Sequence, residues 1–235
     1  SKISTSDIKK LRDLTGAGFL DCKEALEKSN SIFDDAIQYL RKKGISTAEK
    51  KGDRSAKEGL ISISKDDTNK KASIIEVNCE TDFVARNEDF QKFVSILSKI
   101  NLDNNGNLDD LMKAKYDNED NVSQALTNLI SKIGENLNIR RTKSITSSNG
   151  YIGTYVHNIE TENMGKIGVL ISVDTDLDYL KINDFLKKIC MHIAALNPIA
   201  LSIESISKDI LNKEKKFQIE EIKKSGKDQN IQEKM

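Results

Sequence analysis

The sequence predicts an α+β protein in which helices and strands occur in separate groups. Apolar residues recur at helical spacing through the first 43 residues. Alternating, β-branched runs then form a hairpin pattern at 60–79, and three further strand patterns lie between 138 and 175. Consecutive strands outnumber strand–helix–strand alternations, so we predict antiparallel sheets packed with helices rather than a parallel α/β fold.

The spacing of apolar residues in the segment 1–52 predicts three short helices joined by short loops, which can form one compact bundle. Ser4 lies three residues before Asp7, a weak capping box at the start of the first helix. The third helix is expected to end in cations before Gly44, where they suit the negative end of the helix dipole. The inner face of the first helix is predicted to consist of Ile8, Leu11 and Leu14. Residues 53–58 are polar and charged, which predicts a linker.

The rest of the chain predicts a core in two parts and a charged extension. Residues 59–138 contain the hairpin, a helix from about Asn87 to Ile100 and two further helices at 108–115 and 122–137. Residues 139–200 contain three strands and a helix from about 182 to 196. Residues 201–235 are highly charged, with one narrow apolar stripe that the segment KSGKD interrupts. The inner face of the Asn87 helix is predicted to consist of Phe90, Phe93, Val94 and Leu97.

The charge balance argues against nucleic acid and membrane as partners. Lys+Arg and Asp+Glu both total 37, so there is no net charge to attract phosphate backbones or anionic lipid. No apolar run approaches the roughly 18 residues of a membrane span, and the first residues lack the apolar region of a secretory signal. The three cysteines are far apart and form no CxxC motif, which favours a reducing compartment over disulfides or zinc.

A search for catalytic motifs predicts no enzyme, no cofactor and no metal site. The chain lacks a Walker phosphate loop and an HExxH motif. Cys79 and His192 could be imagined as a nucleophile pair, but Cys79 ends an apolar strand, where a buried and inert thiol is expected. Arg140 and Arg141 are neighbours on a strand and should point to opposite faces, which favours a solvated edge over an anion clamp.

Phe83 has two readings from the residues alone. Asp82 suits a helix start, and Phe83 lies seven residues before Phe90, so a continuous helix would bury both rings on one face. If Arg86 and Asn87 break the helix, Phe83 instead sits on an isolated first turn. An exposed aromatic residue at such a loop tip is typical of a partner contact.

Several blocks of the sequence together resemble the elongation factor Ts family. They occur in the family's order and at its spacing, and the resemblance extends from Ile3 to Met235. The blocks are TGAGFLDCKEAL at 15–26, VNCETDFVARNEDF at 77–90, IGENLNIRR at 133–141, MHIAALNP at 191–198 and NIQEKM at 230–235.

The resemblance implies a cytoplasmic guanine nucleotide exchange factor that binds elongation factor Tu with GDP and perturbs its magnesium and phosphate site. It implies a bundle of the ubiquitin-associated (UBA-like) type, a two-part core of small antiparallel sheets, and a helical hairpin of the coiled-coil kind. Family members continue past the position of Met235 through the returning arm of the hairpin. Whether the protein forms a homodimer through the hairpin is left undecided by the resemblance. The alternative is a passive interaction module that holds a partner without affecting its nucleotide.

The resemblance also assigns residues. The element that presses toward the magnesium site of the GTPase matches Thr81, Asp82, Phe83 and Val84, which we call the TDFV turn. The docking positions match Arg12, Phe19, Leu20, Lys23 and, in a later strand, His157. Family members often have methionines where this chain has Phe19 and Leu20. We therefore predict that Phe83 faces outward, on a short helical turn held by Thr81 and Asp82.

Overall fold

The structure, a computed structural model, describes residues 3–117 and 119–224 of the chain. Two compact units are present, residues 1–194 and residues 195–235. The predicted class is confirmed, since helices and antiparallel strands occur in separate groups along the chain. Within the described residues, no helix is both long enough and apolar enough to cross a membrane.

The chain begins with three helices, α1 (Thr5–Thr15), α2 (Phe19–Lys28) and α3 (Phe33–Lys51). Ser4 caps α1 as predicted, because its hydroxyl accepts a hydrogen bond from the Asp7 amide at 3.0 Å. Gly16 ends α1 in the left-handed conformation, at φ 69°. Leu14 was wrongly placed in the inner face, since 64% of its surface is exposed. The buried residues of the bundle are Ile8, Leu11, Cys22, Ala25, Leu26 and Ala36.

The third helix is longer than the sequence predicted. It does not end before Gly44 but continues to Lys51. Gly44 is buried, and a Cβ atom there would lie 3.7 Å from the Thr127 methyl group of α7 (Val122–Ile133). Gly44 is therefore a site of close packing between α3 and α7 and does not act as a helix stop.

Five strands form one antiparallel sheet in the order β3-β2-β1-β5-β4. This differs from the two small sheets expected. The difference arises where β1 pairs with β5, through Ile61 opposite Gly165 and Ser62 opposite Met164, because this short pairing joins the early hairpin to the later one. The strands are β1 (Glu58–Lys65), β2 (Lys71–Cys79), β3 (Asn138–Thr146), β4 (Gly150–Thr161) and β5 (Met164–Asp174).

The helices that follow β2 are α4 (Asp82–Ala85), α5 (Glu88–Asp103), α6 (Leu108–Lys113) and α7. They build the main core with the sheet, and α4 and α5 pack directly on its strands. The predicted inner face of α5 is confirmed, since all four of its residues are buried in the main core with Leu60, Ile75 and Val77. α7 ends at Ile133, four residues before its predicted limit, because Gly134 adopts the left-handed conformation at φ 84°.

The pairing of β2 with β3 contains one irregularity, between Glu76 and Val77. Glu76 lies opposite Arg141 while Val77 lies opposite Ile139, so Arg140 is an extra residue in β3. Both arginines consequently reach the same carboxylate, Arg140 at 2.9 Å and Arg141 at 2.6 Å. The prediction that they point to opposite faces was wrong, although both side chains are exposed on the edge strand as expected.

The last described helices are α8 (Tyr179–Leu196) and α9 (Lys208–Lys224). α8 packs closely over β4, where a Cβ atom on Gly153 would lie 2.9 Å from the Leu186 Cβ. The predicted apolar stripe of α9 is exposed at Ile210 and Phe217. The block NIQEKM and the interruption after Lys224 lie outside the described residues. The buried residues of α8 are Ile182, Leu186 and Cys190.

Candidate partner-binding site

The TDFV turn is a separate helical turn, as the sequence predicted. Thr81 is the N-cap of α4, and its hydroxyl accepts a hydrogen bond from the Val84 amide at 3.4 Å. Asn87 then caps α5, because its side chain accepts from the Asp89 amide at 2.9 Å and the Phe90 amide at 3.2 Å. The helix is therefore broken at residues 86–87, and the position of Phe83 is independent of the buried face of α5.

Phe83 points away from the core, with 79% of its surface exposed. The next two residues, Val84 and Ala85, are buried in the main core. Val84 therefore anchors the turn and offers no surface, which separates it from the other residues of the TDFV turn. The predicted outward direction of Phe83 is confirmed, and its role in binding stays a prediction.

An arginine links the TDFV turn to the end of β4. The Arg86 guanidinium lies 3.7 Å from Asp82 and 3.7 Å from Glu160 on β4. The predicted docking residue His157 is exposed three residues earlier on β4, and its Nδ1 atom lies 2.9 Å from the Tyr155 hydroxyl. These contacts bring the end of β4 alongside α4, which the sequence could not show.

Cys79 lies directly beneath the turn and is fully buried. Its thiol donates a hydrogen bond to the Thr81 carbonyl at 3.1 Å. Burial, with the nearby Glu135 carboxylate, raises the pKa of the Cys79 thiol to about 12. The predicted burial of this thiol is confirmed, and a buried thiol with a raised pKa is a poor nucleophile.

A loop between α7 and β3 contacts the segment that leads into the TDFV turn. One Glu135 carboxylate oxygen accepts from the Glu80 and Thr81 amides, both at 3.1 Å. The other oxygen accepts from the Thr81 hydroxyl at 2.8 Å. Sequence analysis missed Glu135, since a contact across 54 residues leaves no local pattern; its only signal was membership of the IGENLNIRR block.

The same loop is also attached to the end of α3. The Asn136 amide donates to the Glu80 carboxylate at 2.6 Å. Its side-chain NH₂ donates to the carbonyls of Gly52 at 3.2 Å and Arg54 at 2.7 Å. The Lys51 ammonium donates to the Gly134 carbonyl. The 134–136 loop therefore lies between the helical bundle and the TDFV turn and is bonded to both.

A second candidate surface lies on the bundle and consists of Arg12, Phe19, Leu20 and Lys23, which we call the bundle surface. All four side chains are exposed. Lys23 pairs with Glu27 at 3.8 Å, a weak contact between exposed groups. Leu14 is also exposed close by in sequence, and sequence analysis missed it because its spacing matched the helix interior.

No group of three or more histidines, cysteines or acids in residues 3–117 and 119–224 is arranged to hold a metal ion. The site is thus a pair of surfaces, one with an exposed phenylalanine on a supported turn and one with a mixed apolar and basic face. Exposed apolar and basic side chains of this kind are typical of surfaces that contact another protein.

Comparison with known proteins decides the family. The model of the family described as elongation factor TS matches residues 80–235. This chain belongs to the elongation factor Ts family. It is 42% identical over 234 residues to elongation factor Ts of Mesorhizobium japonicum, which covers 99% of this chain and 76% of that protein.

Other elongation factor Ts proteins are similar to the same extent. That of Xanthobacter autotrophicus is 43% identical over 234 residues, covering 99% of this chain and 75% of the relative. That of Rhizobium etli is 40% identical over 236 residues, covering 100% of this chain and 76% of the relative. These matches cover nearly the whole chain, so the resemblance to this family inferred from the sequence blocks is confirmed.

Proposed function

We propose that this protein is a guanine nucleotide exchange factor in translation elongation, which binds elongation factor Tu with GDP and promotes GDP release. The observation that supports this most is Phe83, an exposed aromatic side chain on a turn with a buried base, in a chain of the elongation factor Ts family. The protein makes and breaks no covalent bond, so it is not an enzyme in the chemical sense.

The TDFV turn suits insertion into a partner. Val84 and Ala85 are buried, while Glu135 bonds the backbone just before the turn, so the turn is fixed at both ends. A fixed aromatic residue loses little conformational entropy on binding, which favours a central contact of high energy. Phe83 is the residue that would enter the GTPase near its magnesium site.

Exchange follows from a difference in affinity between two states of the GTPase. A factor that binds the nucleotide-free GTPase more tightly than the GDP form must weaken GDP binding by the same ratio. Magnesium neutralises much of the phosphate charge, so displacing residues around it weakens GDP binding. Phe83 can act in this way without touching the nucleotide.

The bundle surface supplies docking in this proposal, together with His157, which is exposed on β4 three residues before Glu160. We assign residues 1–52 to a UBA-like docking domain, 53–58 to a linker, 59–138 and 139–200 to two parts of the core, and 201–235 to a helical hairpin.

The balanced charge gives no reason to assign a nucleic-acid or membrane partner. The place of action in this proposal is the cytoplasm.

Release of a fluorescent GDP from elongation factor Tu tests the proposal. Substoichiometric protein should accelerate release, because an exchange factor dissociates and acts again. The Phe83→Ala variant is the matched control and should bind with little acceleration. A passive interaction module, the alternative, would bind elongation factor Tu and leave the release rate unchanged, and that result would refute the proposal.

A further inference from the structure

We infer that Glu135 is a positioning residue for nucleotide exchange, because its carboxylate fixes the backbone from which Phe83 projects. The inference deepens the proposed function and rests on it where exchange is concerned. Glu135 itself is not a partner contact. It acts through Thr81, the residue that caps the turn.

The contact is a carboxylate that accepts hydrogen bonds from three donors of one short segment. The Glu80 and Thr81 amides share one oxygen, and the Thr81 hydroxyl takes the other. Hydrogen bonds to a carboxylate are stronger than those to a neutral acceptor, and three donors bonded to one carboxylate are restrained in direction as well as distance. These hydrogen bonds therefore restrain the rotation of residues 80 and 81.

The Thr81 hydroxyl transmits this restraint to the turn. It donates to Glu135 at 2.8 Å and accepts from the Val84 amide at 3.4 Å. Glu135 thus selects the rotamer in which Thr81 can cap α4. Since α4 has four residues, it makes few internal hydrogen bonds and depends on this cap. Loss of the cap would leave Phe83 attached to a frayed turn.

Glu135 is itself held in position from the opposite side. The neighbouring Asn136 amide bonds the Glu80 carboxylate, and the Asn136 side chain bonds the carbonyls of Gly52 and Arg54. Gly134 just before it adopts the left-handed conformation that ends α7. The two acids Glu80 and Glu135 thus each bond the backbone of the other segment, which makes the contact reciprocal.

A direct test measures the mobility of the side chain at position 83. The chain contains no tryptophan, so Phe83→Trp introduces a single reporter. In that background, Glu135→Gln replaces one acceptor oxygen with an NH₂ group that faces donors. We expect the fluorescence anisotropy of the tryptophan to fall. Glu49→Gln, which changes an exposed glutamate of α3, is the matched control and should leave the anisotropy unchanged.

A second variant tests the same contact from its other end. Thr81→Val removes the hydroxyl and keeps Glu135, and it should lower the anisotropy as Glu135→Gln does. Thermal melts of each variant establish that the protein is folded at the temperature used. If the folded Glu135→Gln and Thr81→Val proteins both hold the tryptophan as rigidly as the parent, Glu135 does not position residue 83 and the inference is wrong.

Release kinetics then separate positioning from general support of the fold. We expect Glu135→Gln to lower the maximal GDP-release rate about tenfold, while the concentration of elongation factor Tu at half-maximal rate changes less than about twofold. Because Glu135 acts through Phe83, the Glu135→Gln, Phe83→Ala double variant should release GDP no more slowly than Phe83→Ala alone. Additive losses would refute the positioning role.

The anisotropy and release measurements distinguish a failure of the proposed function from a failure of the positioning role. If the wild-type protein does not accelerate release at all, the proposed function is wrong, and the anisotropy of the tryptophan still decides whether Glu135 holds the turn. If the wild-type protein accelerates release and Glu135→Gln does so equally well, the proposed function stands and the positioning role is refuted.

Discussion

Phe83 and Phe90 lie seven residues apart on consecutive helices, yet 79% of Phe83 is exposed and Phe90 is fully buried. On one continuous helix, the two rings would share a face. The Asn87 cap begins a new helix between them, with a new direction. The exposed ring is consequently free for a partner while the core loses nothing.

The first prediction compares Phe83→Ala with Phe93→Ala. Phe83 makes no core contact of importance, so its truncation should change the free energy of unfolding by less than about 1 kcal/mol and slow GDP release substantially. Phe93 is buried, with its ring centroid 5.4 Å from that of Tyr116. Its truncation should cost roughly 3–5 kcal/mol. Thermal melts and release assays on both variants decide whether Phe83 is a core residue or a contact residue.

The second prediction concerns the bundle. Removing residues 1–52 should weaken binding to elongation factor Tu but leave acceleration of release at high concentration, because Phe83 remains. Since α3 packs against α7 and Gly52 bonds Asn136, the deletion also disturbs the core. Replacing Phe19 and Leu20 with serine in the intact chain is the control for this disturbance and should weaken binding alone. Complete loss of release at saturating concentration of the serine variant would contradict a docking role.

The third prediction is that Arg12 and Lys23 act through charge. Reversing both to glutamate should slow association with elongation factor Tu, and the loss should shrink at high salt, because exposed charges at the edge of an interface steer encounter. Reversal of Lys99 and Lys113, exposed on α5 and α6, changes the net charge equally and serves as the control. An equal loss of association rate in both pairs would mean that net charge, rather than the bundle surface, is responsible.

The fourth prediction concerns pH. Burial would raise the pKa of Glu76, but hydrogen bonds from Arg141, Arg140 and Asn78 outweigh it and hold the pKa below its ordinary value of 4.5. A lowered folded pKa means that the ionised Glu76 stabilises the fold above about pH 4.5 and that this stabilisation is lost as the pH falls through the folded value.

Glu76→Gln should therefore destabilise the protein by about 1–2 kcal/mol at pH 7, and the difference from wild type should shrink progressively below pH 4.5. Denaturant unfolding at several pH values measures it. Glu162→Gln, at an exposed position between β4 and β5, should show no such convergence. A constant difference for Glu76→Gln down to pH 2 would show that its charge is not the stabilising feature.

Local patterns predicted most of the elements and the direction of Phe83. Two of these patterns depend only on residues close in sequence. They are the Asn87 cap and the helical spacing of the core residues Phe90, Phe93 and Val94. The end of α3 was mispredicted for a tertiary reason. Gly44 resembles a helix stop in sequence, but its lack of a side chain lets α3 pack closely against α7. The contact is with Thr127, 83 residues later in the chain.

Contacts between distant segments could not be predicted from spacing. Glu135 reaches Thr81 across 54 residues, and Arg86 reaches Glu160 between different elements. The single sheet depends on two residue pairs between β1 and β5, a detail without a local pattern. The family resemblance supplied the blocks that come together but not the hydrogen bonds that join them.

The extra residue Arg140 in β3 sets the length of chain between the sheet and the 134–136 loop. Each residue of a strand spans about 3.3 Å. Deleting Arg140 would thus pull the Glu135 carboxylate about one residue spacing from the Thr81 amide, beyond hydrogen-bonding distance. The number of residues between the 134–136 loop and Arg141 is therefore constrained, because Glu135 must reach Thr81 to support the turn that carries Phe83. Insertions and deletions here should be tolerated far less well than in the turn between β1 and β2.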